Sequence, residues 1–190
     1  MTAEDNINPV SLDSSELKKH LSKGDIHLLS VIGVGFLPKA PGTWGSLAAI
    51  LIFLLFYVIY DFTNLSREFI SIFLLLISIL LFTFSFKPIK RITEAGYEDP
   101  SWIVIDEFVA VLLGLCYYPL WSSIWNIIIF FALFRLFDIV KPWPIAKIDK
   151  INGPIGIMFD DIVATIIAAI FTQLTIFLIR MIDIFEFVLS

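Results

Sequence analysis

Apolar residues in this chain come in long unbroken runs, and the polar residues gather in short stretches between them. A bilayer core of ~30 Å takes about 20 apolar residues in a helix, and five runs approach that length: about Trp44–Tyr60, Phe69–Phe86, Trp102–Leu120, Ser122–Val140 and Asp160–Arg180. Ile26–Leu37 is apolar but too short to cross, which predicts a helix in the interface or dipping into it. Before it, Asp13 and Glu16 have the spacing of a capping box that opens a short helix over SSELKKHLS. The prolines and glycines of PKAPGTWGS predict no regular structure before Thr43, whose hydroxyl would cap the first span. Lys87-Pro88 is expected to end the second span, with KRITEAGYEDPS as a charged loop. Pro142 and Pro144 stop the fourth, and MIDIFEFVLS reads as a separate amphipathic tail. The expected fold is all-α, a polytopic membrane helical bundle of about five transmembrane helices plus short interfacial helices. Residues 1–25 form a polar cytoplasmic lead-in, and residues 26–190 a single membrane-embedded domain.

Composition strengthens the membrane reading. Of 190 residues, 58% are hydrophobic and 15% aromatic, and a mean hydropathy of +0.91 lies far above that of a soluble domain. The net charge of −5 does not set orientation, because placement of Lys and Arg does. Lys18, Lys19, Lys23, Lys39, Lys87, Lys90, Arg91, Lys141, Lys147 and Lys150 fall on one side of the five-span topology, against Arg67 and Arg180 on the other. That asymmetry puts the N-terminus inside. Nothing suggests nucleic acid as a partner. The polar N-terminus lacks the apolar core of a secretory signal peptide. Cys116 is alone, which excludes a disulfide framework or a thiolate metal cluster.

The candidate chemistry lies in the few ionisable residues of the apolar runs. Charged side chains at such depth are costly and mark functional sites by default. Asp106 and Glu107 open the third run, Arg135 and Asp138 close the fourth, and Asp160 and Asp161 open the fifth. In the five-span topology all lie at the cytoplasmic ends. Arg135 and Asp138, one turn apart, share a helix face, and Lys141 continues the line. Five carboxylates against two cations repel one another unless protons or a metal join them. Oxygen donors without His or Cys suit Mg²⁺; His20 and His27 precede the first span and are given no role. Arg135 and Lys141 can hold a phosphate, and the helix N-terminus at Gly42-Thr43 offers free N–H groups to an anion. Taken singly, Arg135 with Asp138 could be a structural ion pair, and Pro41-Gly42-Thr43 a plain turn. A small cation or proton transporter is the alternative from another class, and it predicts acids spread through the membrane depth.

Four segments, PGTWGSL at 41–47, DPSWIVIDEFV at 99–109, FRLFDIVKPWPI at 134–145 and GIMFDDIVA at 156–164, resemble the phosphatidylglycerophosphatase A family in order and spacing. The resemblance implies an Mg²⁺-dependent phosphatase of the bacterial inner membrane, with a cytoplasmic active site, that converts phosphatidylglycerophosphate to phosphatidylglycerol. Carried over residue by residue, the site is Asp106, Glu107, Arg135, Asp138, Lys141, Asp160 and Asp161, with Mg²⁺ on Asp106, Glu107, Asp160 and Asp161. Ala110 and Thr165 depart from the family pattern, where glycine commonly follows the paired acids, and Pro154 interrupts a glycine-rich approach.

Overall fold

The computed structural model describes residues 20–63, 65–97, 99–116 and 123–189, with the side chains of Asp61 and residues 183–189 outside that description. The expected helix over SSELKKHLS lies almost wholly outside the described residues. Those described form seven α-helices and one 3₁₀ turn, without strands. In chain order they are α1 (Lys23–Leu29), the 3₁₀ turn (Val34–Phe36), α2 (Pro41–Phe62), α3 (Arg67–Glu94), α4 (Ile105–Leu115), α5 (Ile124–Val140), α6 (Ile145–Asp149) and α7 (Pro154–Leu189).

Among the described residues three helices are long and apolar enough to cross a membrane: Pro41–Tyr60, Arg67–Glu94 and Pro154–Ile182. Their outer faces expose Leu51, Leu55, Leu76, Leu80, Ile170 and Phe177, among others, a surface that water does not favour but lipid does. The expectation of about five crossings meets two shorter helices. α4 has 11 residues and spans only ~16 Å. Trp102–Val104 precede it as buried, non-helical chain, and its C-cap is Cys116. Its apolar run reflects burial from all sides, since α4 packs on α2, α3 and α7. α5, at 17 residues, spans ~26 Å and lies along α7.

Helix boundaries also differ from expectation for identifiable reasons. α2 starts at Pro41 with no side-chain cap, because proline at the first helical position lacks only an N–H that would be orphaned anyway. Thr43 therefore lies inside the first turn rather than capping it. α3 runs through Pro88 to Glu94. Proline inside a helix costs ~3 kcal/mol; here the turn beyond it buries Ile89 and Ile92, which offsets that cost. Pro154 opens α7 just after Gly153 at φ 86°, so Asp160 and Asp161 sit in the second turn and beyond rather than at the start. The same helix continues to Leu189, with no separate tail. Two expectations fit: the chain leaves the helix at Lys141, before Pro142 and Pro144, and Ile26–Leu37 holds no helix long enough to cross. Instead α1 and the 3₁₀ turn fold onto the bundle, where Leu29 O accepts from Val104 N at 3.0 Å and Phe36 stacks on buried Trp102.

Candidate active site

One end of the bundle collects five helix segments. The end of α3, the start of α4, the ends of α5 and α6 and the first two turns of α7 meet around a cavity of about 280 Å³. Seven carboxylates line it: Asp99, Asp106, Glu107, Asp138, Asp149, Asp160 and Asp161. Lys141 supplies the cation in that lining, with Thr93 and Asn152 as neutral polar neighbours. The helix-borne acids expected from the sequence thus share one pocket.

Helix geometry explains the convergence. Asp106 and Glu107 fall in the first turn of α4, where negative charge is favoured by the helix dipole; Asp106 Oδ1 accepts from Glu107 N at 3.0 Å. Asp160 and Asp161 are both buried, at 5% and 3% exposure. Within 4.8 Å of one another lie single oxygens from Asp106, Glu107 and Asp161, and likewise from Asp138, Asp160 and Asp161. Asp161 belongs to both groups.

The two cations take different places. Lys141 caps α5 in the left-handed region at φ 45°. From there its Nζ bonds Asp149 on α6 and, at 2.8 Å, Asp160 on α7. Burial pulls the Lys141 ammonium downward, but these two carboxylates outweigh it and hold the group above its ordinary range. Arg135 stands behind the carboxylates, outside the cavity lining. Its Nη1 lies 2.8 Å from Asp138, 3.9 Å from Glu107 and 3.4 Å from Ser46 Oγ. The expected pairing of Arg135 with Asp138 on one helix face is present.

Gly42 and Thr43 do not line the cavity. A Cβ on Gly42 would sit 1.8 Å from Glu107 Oε1, so the glycine lets this carboxylate press against the first turn of α2. Thr43 N turns inward to Ala40 O at 3.0 Å.

Asp99 and Asp149 were absent from the expected set. Both come from loops or their edges, where no periodicity singles out a residue, although Asp99 shares the DPSWIVIDEFV segment with Asp106. Although Asp99 is exposed at the rim, loss of hydration against the surrounding protein pushes its carboxyl up, Lys141 draws it down, and Asp149 and Asp138 push it up again; the net shift is upward.

The donor set tests whether a metal suits the pocket. Glu107 Oε2 and Asp160 Oδ1 are buried and have no hydrogen-bond partner, an expensive state for a carboxylate oxygen. Every metal-capable donor in the two groups is a carboxylate oxygen, the set preferred by hard divalent ions. The residues fit Mg²⁺.

The family model described as Phosphatidylglycerophosphatase A matches residues 27–176. A Haemophilus influenzae protein named Phosphatidylglycerophosphatase A is 39% identical over 160 residues, covering 83% of this chain and 93% of the relative. One of the same name from Escherichia coli is 37% identical over 145 residues, covering 75% and 78%. A Bacteroides thetaiotaomicron protein, provisionally named a phosphatidylinositol-3-phosphatase, is 38% identical over 136 residues, covering 70% and 80%. No solved structure matches the chain.

Proposed function

Because the chain belongs to the phosphatidylglycerophosphatase A family, we propose that it removes the terminal phosphate of phosphatidylglycerophosphate, leaving phosphatidylglycerol, with help from Mg²⁺. The observation that carries this reading is the meeting of seven carboxylates and Lys141 in one cavity at the end of an apolar helical bundle. An acidic pocket alone would repel a phosphomonoester; with a divalent ion it attracts one. Buried acids confined to one end also disfavour an ion path, which would distribute them through the depth.

Asp106, Glu107 and Asp161, together with Asp138 and Asp160, would hold Mg²⁺. When bound, the ion neutralises phosphate charge and acidifies water. The chain's own residues supply the rest. Lys141 spends two of its three N–H donors on Asp149 and Asp160, which leaves one for a phosphoryl oxygen. Arg135, gripping Asp138 and Glu107 from behind, fixes both acids in place. In hydrolysis the water oxygen bonds to phosphorus and gives up a proton, the bond from phosphorus to the glycerol oxygen breaks, and the leaving oxygen takes up a proton. Asp99 at the rim of the cavity is placed to relay that proton. We place α4 and α5 as the two remaining membrane-inserted helices. The Lys and Arg asymmetry supports a cytoplasmic-facing site, and the bacterial relatives favour the inner membrane as its location.

The test is phosphate release from phosphatidylglycerophosphate by the purified chain in lipid nanodiscs, with Mg²⁺ or with EDTA. Release with Mg²⁺ and none with EDTA is expected, and no release in either condition overturns the reading. The Bacteroides relative's name favours one second reading, a phosphoinositide headgroup. Faster turnover of phosphatidylinositol 3-phosphate in the same assay would establish it instead.

A further inference from the structure

Hydroxyls buried in helices that face lipid normally bond back to the carbonyl one turn earlier. In this protein Ser46, Ser78, Ser85 and Thr172 do so, to Gly42, Leu74, Leu81 and Ala168. Ser30, also buried, accepts from Gly33 N. Thr165 is the exception among the buried hydroxyls described: the residue is 2% exposed, and its Oγ1 has no partner.

Thr165 lines an apolar cleft of about 420 Å³ between α4 and α7, a volume within the ~300–1,000 Å³ of small-molecule sites. Leu113 links it to a second apolar cleft of about 180 Å³ that begins at Phe159 and Ile162, beside the paired acids. Along α7, Phe159, Ile162, Ile166, Ile170 and Gln173 recur at spacings of three and four residues, so the two clefts follow one helix face. From Phe159 to Gln173 is ~21 Å, comparable with the ~15 Å depth of one leaflet's hydrocarbon. Thr165 lies four residues beyond Asp161 on the buried side of α7, about 100° round from the groove residues and ~6 Å further from the cavity, where it forms the inner edge of the cleft beside Gly114.

We propose that this groove holds one acyl chain of the phospholipid and that the Thr165 hydroxyl donates to the ester carbonyl at the head of that chain. The inference rests on the phosphatase reading for what occupies the cavity. A diacyl phospholipid carries an ester carbonyl a few bonds from its phosphate and an apolar chain beyond it, in the order acid site, unspent hydroxyl and apolar cleft. A helix of a second copy, ~10 Å across, is too wide to reach a hydroxyl buried this deeply. Gln173, whose buried Nε2 is unpartnered, marks the deep end and would be the natural pairing point if a second copy did pack there.

The test compares diacyl phosphatidylglycerophosphate with its diether analogue, which lacks the carbonyls, on wild type, T165V and T165S in nanodiscs with Mg²⁺. Wild type is expected to prefer the ester about two- to tenfold in kcat/KM, as one hydrogen bond allows. T165S should keep the preference, and T165V should bring it near one. In EDTA, without turnover, retention of ester and ether phosphatidylglycerol by the detergent-purified protein, read by native mass spectrometry, should show the same pattern. Equal handling of ester and ether by wild type, or an unchanged preference in T165V, overturns the groove assignment whether or not phosphate is released. An ester preference in retention that depends on Thr165, without phosphate release, upholds the groove and overturns only the phosphatase reading. Dimers that cross-link through I166C and are lost in Q173L would assign the groove to a second copy and overturn the proposal.

Discussion

The cavity around Asp161 and the pocket around Arg135 share Glu107 but are built differently. The first is open and holds carboxylate oxygens without partners. The second is closed: Arg135 Nη1 is surrounded by Asp138, Glu107 and Ser46, and Gly42 leaves no space beside Glu107. One region leaves Asp160 Oδ1 and Glu107 Oε2 unspent beside the Lys141 ion pairs, and the other commits Arg135 Nη1 to two acids and a hydroxyl, with only its buried Nε unpaired. The contrast separates groups available to a ligand from groups that position them, and it moves Arg135 and Gly42 from the first set to the second.

Substitutions can break or sharpen that division. Asp161→Asn removes the carboxylate common to both oxygen groups. It should lower turnover by at least ~10³-fold, with loss of divalent-ion binding by calorimetry and little change in thermal unfolding. Arg135→Ala should act on folding, since breaking a buried pair from one side costs ~3–5 kcal/mol. A large fall in Tm in detergent is expected; a normal Tm with lost phosphate binding would return Arg135 to the ligand-facing set. Lys141→Ala should reduce kcat/KM by ~10²-fold, the scale of losing one placed donor, and weaken inhibition by inorganic phosphate. Gly42→Ala forces Glu107 to move and should cost ~10-fold in kcat with KM nearly unchanged. Steady-state kinetics that leave kcat intact would show that the carboxylate can relocate freely.

The smallest effect concerns pH. A carboxyl raised in the folded state penalises folding once pH exceeds its unfolded value, and the penalty grows until pH passes the folded value. Asp99 is exposed at the rim, but the protein around its carboxyl displaces enough water to raise it, so the metal-free protein should lose a little stability as pH climbs out of the acid range. Asp99→Asn should flatten that part of a Tm against pH profile recorded in EDTA.

Much of the site was legible because helices carry it. The one-turn spacing of Arg135 and Asp138 and the common end of the apolar runs both follow from helical geometry, so Asp106, Glu107, Asp138, Asp160 and Asp161 could be brought together on paper. Asp99 and Asp149 could not, because their positions depend on loop paths. The run at α4 does not by itself count a crossing, since an apolar run records exclusion from water, and neighbouring helices exclude water as well as lipid does. Pro41 and Pro88 mark breaks in the sequence pattern, and the fifth apolar run starts only at Asp160; at a helix's first turn, as at Pro41 and Pro154, proline costs little, and within α3 packing outweighs it. Fold class and membrane character were carried by composition, which local errors do not disturb.

α4 carries Asp106 and Glu107 at one tip, while Phe108–Leu112, Gly114 and Leu115 are core residues packed among α2, α3 and α7. Adding a single residue just after Glu107 would turn the acids by ~100° relative to everything below them. Chemistry and scaffold here are cut from one rod, so a chimera with a relative has to exchange α4 whole, together with the surfaces that surround it.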